Sequence, residues 1–393
     1  LKEVVVVSGA RTAVGTFGGT LKEVHDTDLA GIVIKAAVER AGLDKAAVDE
    51  VIVGNVGQFA EKGFIGRMCS LKAGLPLETT AYSINRQCSS GLNAIANGVM
   101  QIQTGHSEIV VGCGTENMNL APFYIRKARF GYRLGHDALE DGLIHLLTWP
   151  MGPFHNGITA ENVAEQFNIS REEQDEFALL SQVRAIKAID EGKFKNEIVP
   201  VEVPRPKGKT DSFATDEHPR RGLTKEALAK LRPAFKDHGT VTAGNSSGIN
   251  DGAAAVVLMS REKAEALGLK PLVRIVDWAL AGNDPAVMGF APALSTRKLL
   301  ANLEMPLEAI DLIELNEAFA SQSVAVIKDL GLDLDKVNVN GGAIALGHPV
   351  GATGAILMVK IINEMKRRNV ERGLITMCMG GGQGISLVVE NVA

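Results

Sequence analysis

The sequence predicts an α/β fold made of two duplicated α/β halves, stacked in α-β-α-β-α layers, with a long subdomain inserted between them. Three observations point there. Strand-like and helix-like stretches alternate along the chain. Segments near the two ends echo one another at matching spacing. The middle differs in composition, because residues 120–240 hold 11 of the 18 aromatics and 8 of the 14 prolines. A chain of 393 residues is also too long for one ordinary core.

The elements follow in order. Val4–Val7 is a run of four valines and reads as a buried strand. An apolar-periodic stretch, Leu29–Ala41, reads as a helix. Val51–Val53 is a second strand, Leu92–Gln103 a helix and Ile109–Val111 a third strand. In the middle, Ser170 and Glu173 have the spacing of a capping box before a helix ending near Gly192, and Pro204–Lys209 reads as a loop. Leu312–Leu315 and Ile385–Glu390 read as strands of the second half.

The echo is specific. Glu50-Val-Ile-Val-Gly-Asn55 resembles Asp311-Leu-Ile-Glu-Leu-Asn316. Asn55 lies 33 positions before Cys88 and 58 before Cys113; Asn316 lies 32 before His348 and 62 before Cys378. On this reading Cys88 matches His348 and Cys113 matches Cys378. The expected units are 1–119 with 244–269, an insertion at 120–243 that acts as a lid or substrate-binding subdomain, and 270–393.

Composition removes several functions. A net charge of −5 leaves no basic surface for nucleic acid. The longest apolar runs, such as Ala253–Met259, are too short to span a membrane. Four cysteines without CxxC spacing suggest neither a disulfide framework nor a zinc site, and no metal is expected. The chain enters Val4–Val7 with no charged leader, so a cytoplasmic setting is expected, or the mitochondrial matrix if a leader has been trimmed.

Four segments could carry chemistry. Cys88 sits in Asn85-Arg-Gln-Cys-Ser-Ser-Gly91, where a polar turn enters a helix; unpaired N–H groups and the helix dipole there favour a thiolate. His348 sits in a glycine-rich stretch, Asn340–Gly354, where an imidazole can activate a thiol or donate to an oxyanion. Cys378 ends an apolar strand and runs into Met-Gly-Gly-Gly, whose N–H groups can form an oxyanion hole. Asn316 stands at a strand-to-helix junction in Asn316-Glu-Ala-Phe319, as an N-cap or as a holder of water or carbonyl. Taken together they make a nucleophile, an activator and a second acid/base. Read singly, each is as readily a packing or turn residue.

These segments resemble the signatures of the thiolase family. Gly9-Ala-Arg-Thr12, Thr159-Ala-Glu-Asn162 and Ala243-Gly-Asn-Ser-Ser-Gly248 are similar to its other motifs, so the likeness covers essentially the whole chain. The resemblance implies that Cys88 is acylated, that His348 activates it, and that Cys378 deprotonates a second acetyl-CoA. It implies one oxyanion hole from His348 and a water on Asn316, and another from the N–H groups of Cys88 and Gly380. It also places coenzyme A, a substrate and not a bound cofactor, along His155, Arg220, Ser247, Met288 and Phe319. Acetyl-CoA, acetoacetyl-CoA and CoA are the implied ligands, and a homodimer or homotetramer the implied assembly.

Two departures bear on chain length. His155-Asn156-Gly157 stands where short-chain members carry His-Met-Gly, and Phe290 and Ala291 lie near Met288. The retained histidine favours the short-chain, acetoacetyl-type subgroup. A broader 3-ketoacyl-CoA thiolase is the alternative. A decarboxylating condensing enzyme fits less well, because such enzymes place His or Asn where Cys378 stands. An inactive CoA or lipid binder is the remote reading.

Overall fold

A computed structural model describes residues 1–152 and 154–392. Among the described residues ten strands form the main sheet; nine lie along its path, β1 Val4–Arg11, β2 Glu50–Gly54, β3 Thr80–Ile84, β4 Ile109–Asn117, β5 Asn250–Ser260, β6 Val273–Gly282, β7 Leu312–Leu315, β8 Arg372–Met379 and β9 Gln383–Asn391, and the short strand Gly15–Thr16 pairs with β5. The spatial order of the nine is β7-β8-β9-β6-β1-β5-β4-β2-β3. Read outward from the β6–β1 seam, both sides repeat one pattern. The first two pairings, β1–β5–β4 and β6–β9–β8, are antiparallel. The next, β4–β2 and β8–β7, are parallel. Two residue pairs hold the seam, Val5↔Arg274 and Val6↔Val273, and a two-fold rotation exchanges them. The chain is a duplication.

Register corrects one of the expected correspondences. Gly54, just before Asn55, faces Gly114; Leu315, just before Asn316, faces Thr376. Two residues beyond each partner stand Glu116 and Cys378. The counterpart of Cys378 is therefore Glu116 and not Cys113, which faces Val53 inside the sheet.

Eight helices matter here: α1 Asp26–Arg40, α2 Ile65–Lys72, α3 Ser90–Thr104, α4 Asn156–Gln166, α5 Arg171–Asp190, α6 Ala291–Asn302, α7 Ala320–Leu330 and α8 Thr353–Arg368. They complete five layers. One core joins α1 to one face of the first half-sheet, through Leu29, Val33 and Ile34 against Val5, Val111 and Val257. A second core fills the centre, where Leu92, Ile95 and Val99 of α3 and Ile356, Leu357 and Val359 of α8 meet strands of both halves. A third lies under α6 and α7. Burying each such Leu, Ile or Val contributes roughly 1.5–3 kcal/mol, so the sandwich holds through the apolar faces of α3 and α8.

Those two helices cross at glycines. A Cβ on Gly91 would lie 2.8 Å from the carbonyl oxygen of Gly351, and one on Gly354 would lie 2.4 Å from the amide nitrogen of Leu92. Only glycine lets the two helix starts approach this closely, and the crossing sets the turn after His348 against the nucleophile segment, where Val350 packs with Cys88.

The insertion is partly as expected. Helix α5 carries its capping box: Glu173 N–H donates to Ser170 Oγ at 3.2 Å and Ser170 N–H to Glu173 Oε2 at 2.8 Å. The stretch read as a loop, Pro204–Lys209, instead belongs to a hairpin of Val201–Arg205 and Lys209–Phe213 turning at Pro206–Gly208. Proline on an edge strand keeps the ladder intact because its missing N–H faces outward. Among the described residues no helix is long and apolar enough to cross a membrane.

Candidate active site

Cys88 lies between β3 and α3. Its loop is braced locally: Asn85 Oδ1 accepts from Gln87 N–H at 3.0 Å, and Ser90 Oγ accepts from Arg86 N–H at 2.9 Å. Gln87 is held at φ 48°, a conformation uncommon for a side chain with a Cβ. It turns the next residue inward. The thiol packs among Val56, Met118, Leu143 and Val350. Burial pushes it up to about 11, against the N–H groups of Gly380 and of Cys88 itself. The dipole-stabilised thiolate expected from sequence is therefore not the resting form. Cys88 stands before the N-cap Ser89, and loss of water outweighs two amide donors.

His348 follows Gly347, whose φ of 102° and closeness to Asn250 exclude a side chain. Asn250 Oδ1 accepts the His348 N–H at 2.9 Å. The imidazole is buried, and burial pushes it down to about 4, so it is neutral at pH 7. Its tautomer follows from Thr353. That hydroxyl donates its only proton to the carbonyl of Pro349 at 2.9 Å and lies 2.7 Å from His348 Nδ1, so Nδ1 carries the proton. The Nε2 lone pair faces Asn316 Nδ2 at 3.4 Å. Asn316 is fully buried, and its Oδ1 has no hydrogen-bond partner among the described residues. It does not cap α7, which starts four residues later.

Cys378 is the penultimate residue of β8 and is fully buried. Burial, then the neighbouring Cys88 sulfur, raise its thiol well above the ordinary range. Gly380 follows, its N–H on Cys88. The structure thus gathers Cys88, Cys378, Gly380 and the His348–Asn316 pair. Two neutral thiols, an unprotonated imidazole nitrogen and oriented amide donors can perform acyl transfer and carbon-acid deprotonation.

The residues expected along coenzyme A divide. Met288, Phe319 and Cys378 share one apolar cluster with Ala160, Val241 and Ala318. His155 joins it through Phe235, stacked on the imidazole at 5.0 Å and edge-on to Phe319 at 6.1 Å. His155 also caps α4, its Nδ1 accepting from Gly157 N–H at 3.0 Å. Ser247 is tied to Ala318 by its backbone N–H at 3.0 Å. Arg220 is exposed, and its backbone N–H donates to Gln182. Phe235 escaped sequence reasoning, as did Trp149, which lies 3.0 Å from where a Gly381 Cβ would be. Trp149, Leu146, Val56, Gln87, Asn156 and Gly380 border a cavity of about 440 Å³ beside Cys88. The only signal for either aromatic was the aromatic richness of the insertion.

Known proteins resemble this chain along nearly its whole length. Residues 4–262 match the model of the thiolase N-terminal domain and residues 269–391 that of the thiolase C-terminal domain. The chain is 50% identical to an acetyl-CoA acetyltransferase of Pseudomonas aeruginosa over 99% of both chains. It superposes on the crystal structure of the Bacillus anthracis acetyl-CoA acetyltransferase with a TM-score of 0.98 at 47% identity, covering 100% of this chain and 99% of that one. It also resembles the human mitochondrial 3-ketoacyl-CoA thiolase in complex with CoA, with a TM-score of 0.96 at 42% identity and coverage of 100% and 98%.

Proposed function

The chain belongs to the thiolase family of acyltransferases, and we propose that it is an acetyl-CoA C-acetyltransferase, joining two acetyl-CoA into acetoacetyl-CoA and CoA and running the reverse thiolysis. The observation that carries this reading is the gathering of Cys88, Cys378, Gly380 and the His348–Asn316 pair in one buried site.

In the first half-reaction Cys88 Sγ attacks the thioester carbon of acetyl-CoA, and its proton passes to His348 Nε2. The C–S bond to coenzyme A breaks, and the departing thiolate takes the proton back. Burial disfavours both the thiolate and the imidazolium of a stepwise pair. The proton therefore leaves as the new C–S bond forms. In the second, Cys378 passes its thiol proton to His348 Nε2, and the resulting thiolate takes a proton from the methyl group of another acetyl-CoA. The carbanion attacks acetyl-Cys88, the bond to Cys88 breaks, the departing Cys88 thiolate takes the proton held on His348 Nε2, and acetoacetyl-CoA leaves. Amide donors at Gly380 and Cys88 would hold the oxyanion of the acyl group on Cys88. His348, carrying the proton on Nε2 at this stage, and a water on Asn316 would hold the enolate oxygen, where preorganised donors contribute most.

Residues 120–243 serve in this reading as the coenzyme A-binding subdomain. His155, Phe235, Met288 and Phe319 would wall the pantetheine channel, with Ser247 along it. Arg220, an exposed cation, would meet the phosphorylated end. Assembly as a homodimer or homotetramer is part of the proposal.

A second reading is a broader 3-ketoacyl-CoA thiolase, whose longer acyl chain would need room such as the open cleft of about 440 Å³ beside Cys88. Initial thiolysis rates for acetoacetyl-CoA and a long-chain 3-ketoacyl-CoA, with Cys88→Ala as control, separate the two. A fast short-chain rate, a poor long-chain rate and an inactive variant support the acetyltransferase. A faster long-chain rate moves the protein to the second reading, and activity in the variant rejects Cys88 as nucleophile.

A further inference from the structure

The slot that holds Cys378 in one half holds Glu116 in the other, and the carboxylate there is surrounded by a built cradle. Glu116 is 1% exposed. Its Oε2 accepts from the N–H groups of Val56 at 2.9 Å and Gly351 at 3.0 Å. Its Oε1 accepts from Gly57 N–H at 3.0 Å and Asn55 Nδ2 at 3.1 Å. Glycine permits this approach: a Cβ on Gly351 would lie 2.6 Å from Oε2, and one on Gly57 2.9 Å from Oε1.

Two of these partners, Val56 and Gly351, lead to the site. Val56 packs against Cys88, and its carbonyl accepts from Asn85 Nδ2 at 3.2 Å. Asn85 in turn braces Gln87, the residue before the nucleophile. Gly351 lies three residues after His348, in the turn where the Ala352 N–H donates to the carbonyl of Pro349 at 2.8 Å. Pro349 is also the acceptor that fixes Thr353, and so the imidazole tautomer.

We propose that Glu116 is a positioning residue whose carboxylate clamps the Cys88 loop to the His348 loop and so sets the thiol–imidazole geometry. The function needs a carboxylate, because only an acceptor on both oxygens satisfies four converging donors; an amide would turn its own NH₂ toward two of them. Burial pushes this acid up to about 7, opposed first by the Val56 N–H and then by Lys62, with Asp26 adding to the rise. But the four partners are all donors and none can accept a carboxyl proton, so the cradle selects the ionised form. Lys62 is itself buried and paired to Asp26 at 2.7 Å. Glu116 touches no reacting atom, so its effect passes through the two loops. The proposal rests on the acyl-transfer reading above.

The test compares wild type, Glu116→Gln and Glu116→Asp in acetoacetyl-CoA thiolysis, in thermal melting, and in alkylation of Cys88 by iodoacetamide followed by peptide mass spectrometry. Misplacing reacting groups by an ångström lowers rates up to about 100-fold, so the glutamine variant should lose kcat by about 10- to 100-fold at nearly unchanged KM. The aspartate variant should recover part of the loss. Alkylation discriminates further. The Glu116 charge disfavours the Cys88 thiolate, so a purely electrostatic role predicts faster alkylation in the glutamine variant, whereas the clamp predicts slower. A folded glutamine variant with wild-type kcat, a loss confined to KM, or faster alkylation overturns the proposal. If the glutamine variant does not fold, a folded aspartate variant with reduced kcat supports the clamp; wild-type kcat there, or failure of both to fold, overturns it. Absence of thiolysis in wild type would reject the functional reading instead, and alkylation, which needs no coenzyme A, still reports on the clamp.

Discussion

Cys88 and His348 are tuned in opposite directions by the same cause. Removal of water holds the thiol neutral and the imidazole neutral, which leaves one group able to give a proton and the other able to take one. The tuning has a stability consequence. The unfolded chain protonates His348 near 6.5, while the native state resists until about 4. Below pH 6.5 the unfolded state therefore binds more protons, and stability falls until about pH 4. The full loss from this group is on the order of 3 kcal/mol. Urea unfolding at pH 7 and pH 4.5 should show a smaller acid penalty in His348→Asn than in wild type; an equal penalty would place the acid sensitivity elsewhere. Thr353 acts on the same imidazole. Thr353→Val removes the acceptor of the Nδ1 proton and should lower kcat by about tenfold with little change in KM. Unchanged kcat would mean that another group sets the tautomer.

The helices and strands place these residues through contacts of differing legibility. Helix α5 was readable because Ser170 and Glu173 are three apart and both cap bonds form. Ser170→Ala should cost about 1 kcal/mol, measured by chemical denaturation. A negligible change would show that packing alone starts the helix. Hairpin 201–213 was not readable, because its prolines and lysines have loop composition while the pairing is with one another. The α3–α8 crossing was not readable either. A glycine in sequence does not say which backbone it faces, and Gly354 faces Leu92, 262 positions away. Gly354→Ala forces the crossing apart and should destabilise by about 1–3 kcal/mol while lowering kcat more than KM rises. Wild-type stability and rate in that variant would show that the crossing does not set the site.

Across the whole molecule, the duplication makes the site. Loops and strand ends of two similar halves come together where α3 and α8 cross, so each half supplies part of the chemistry. Asn55, Cys88, Asn316 and His348 revealed the repeat because their spacings differ by one position, 33 against 32. Matching Cys113 to Cys378 went wrong because like residues were paired, giving 58 against 62; Glu116 gives 61 against 62 and the right register. Glu116 and Phe235 were hidden for another reason, since their partners lie far away in sequence. The insertion is bound to this frame by Arg11, buried and bonded to Asp216 at 2.8 and 3.0 Å and to Glu197 at 3.0 Å. Arg11→Met leaves two buried carboxylates without their cation and should destabilise by about 3–5 kcal/mol. Loss well below 1 kcal/mol would mean that the insertion is held by other contacts.

The measurement that tests the central claim most directly is the mass of the acyl-enzyme. The Cys378→Ala variant, unable to deprotonate a second substrate, is incubated with acetyl-CoA, digested at acid pH and read by peptide mass spectrometry. One acetyl group on the peptide containing Cys88, absent after added CoA removes it, is the result predicted here. Acetyl on another cysteine, or none on a folded protein that still binds CoA, would contradict it.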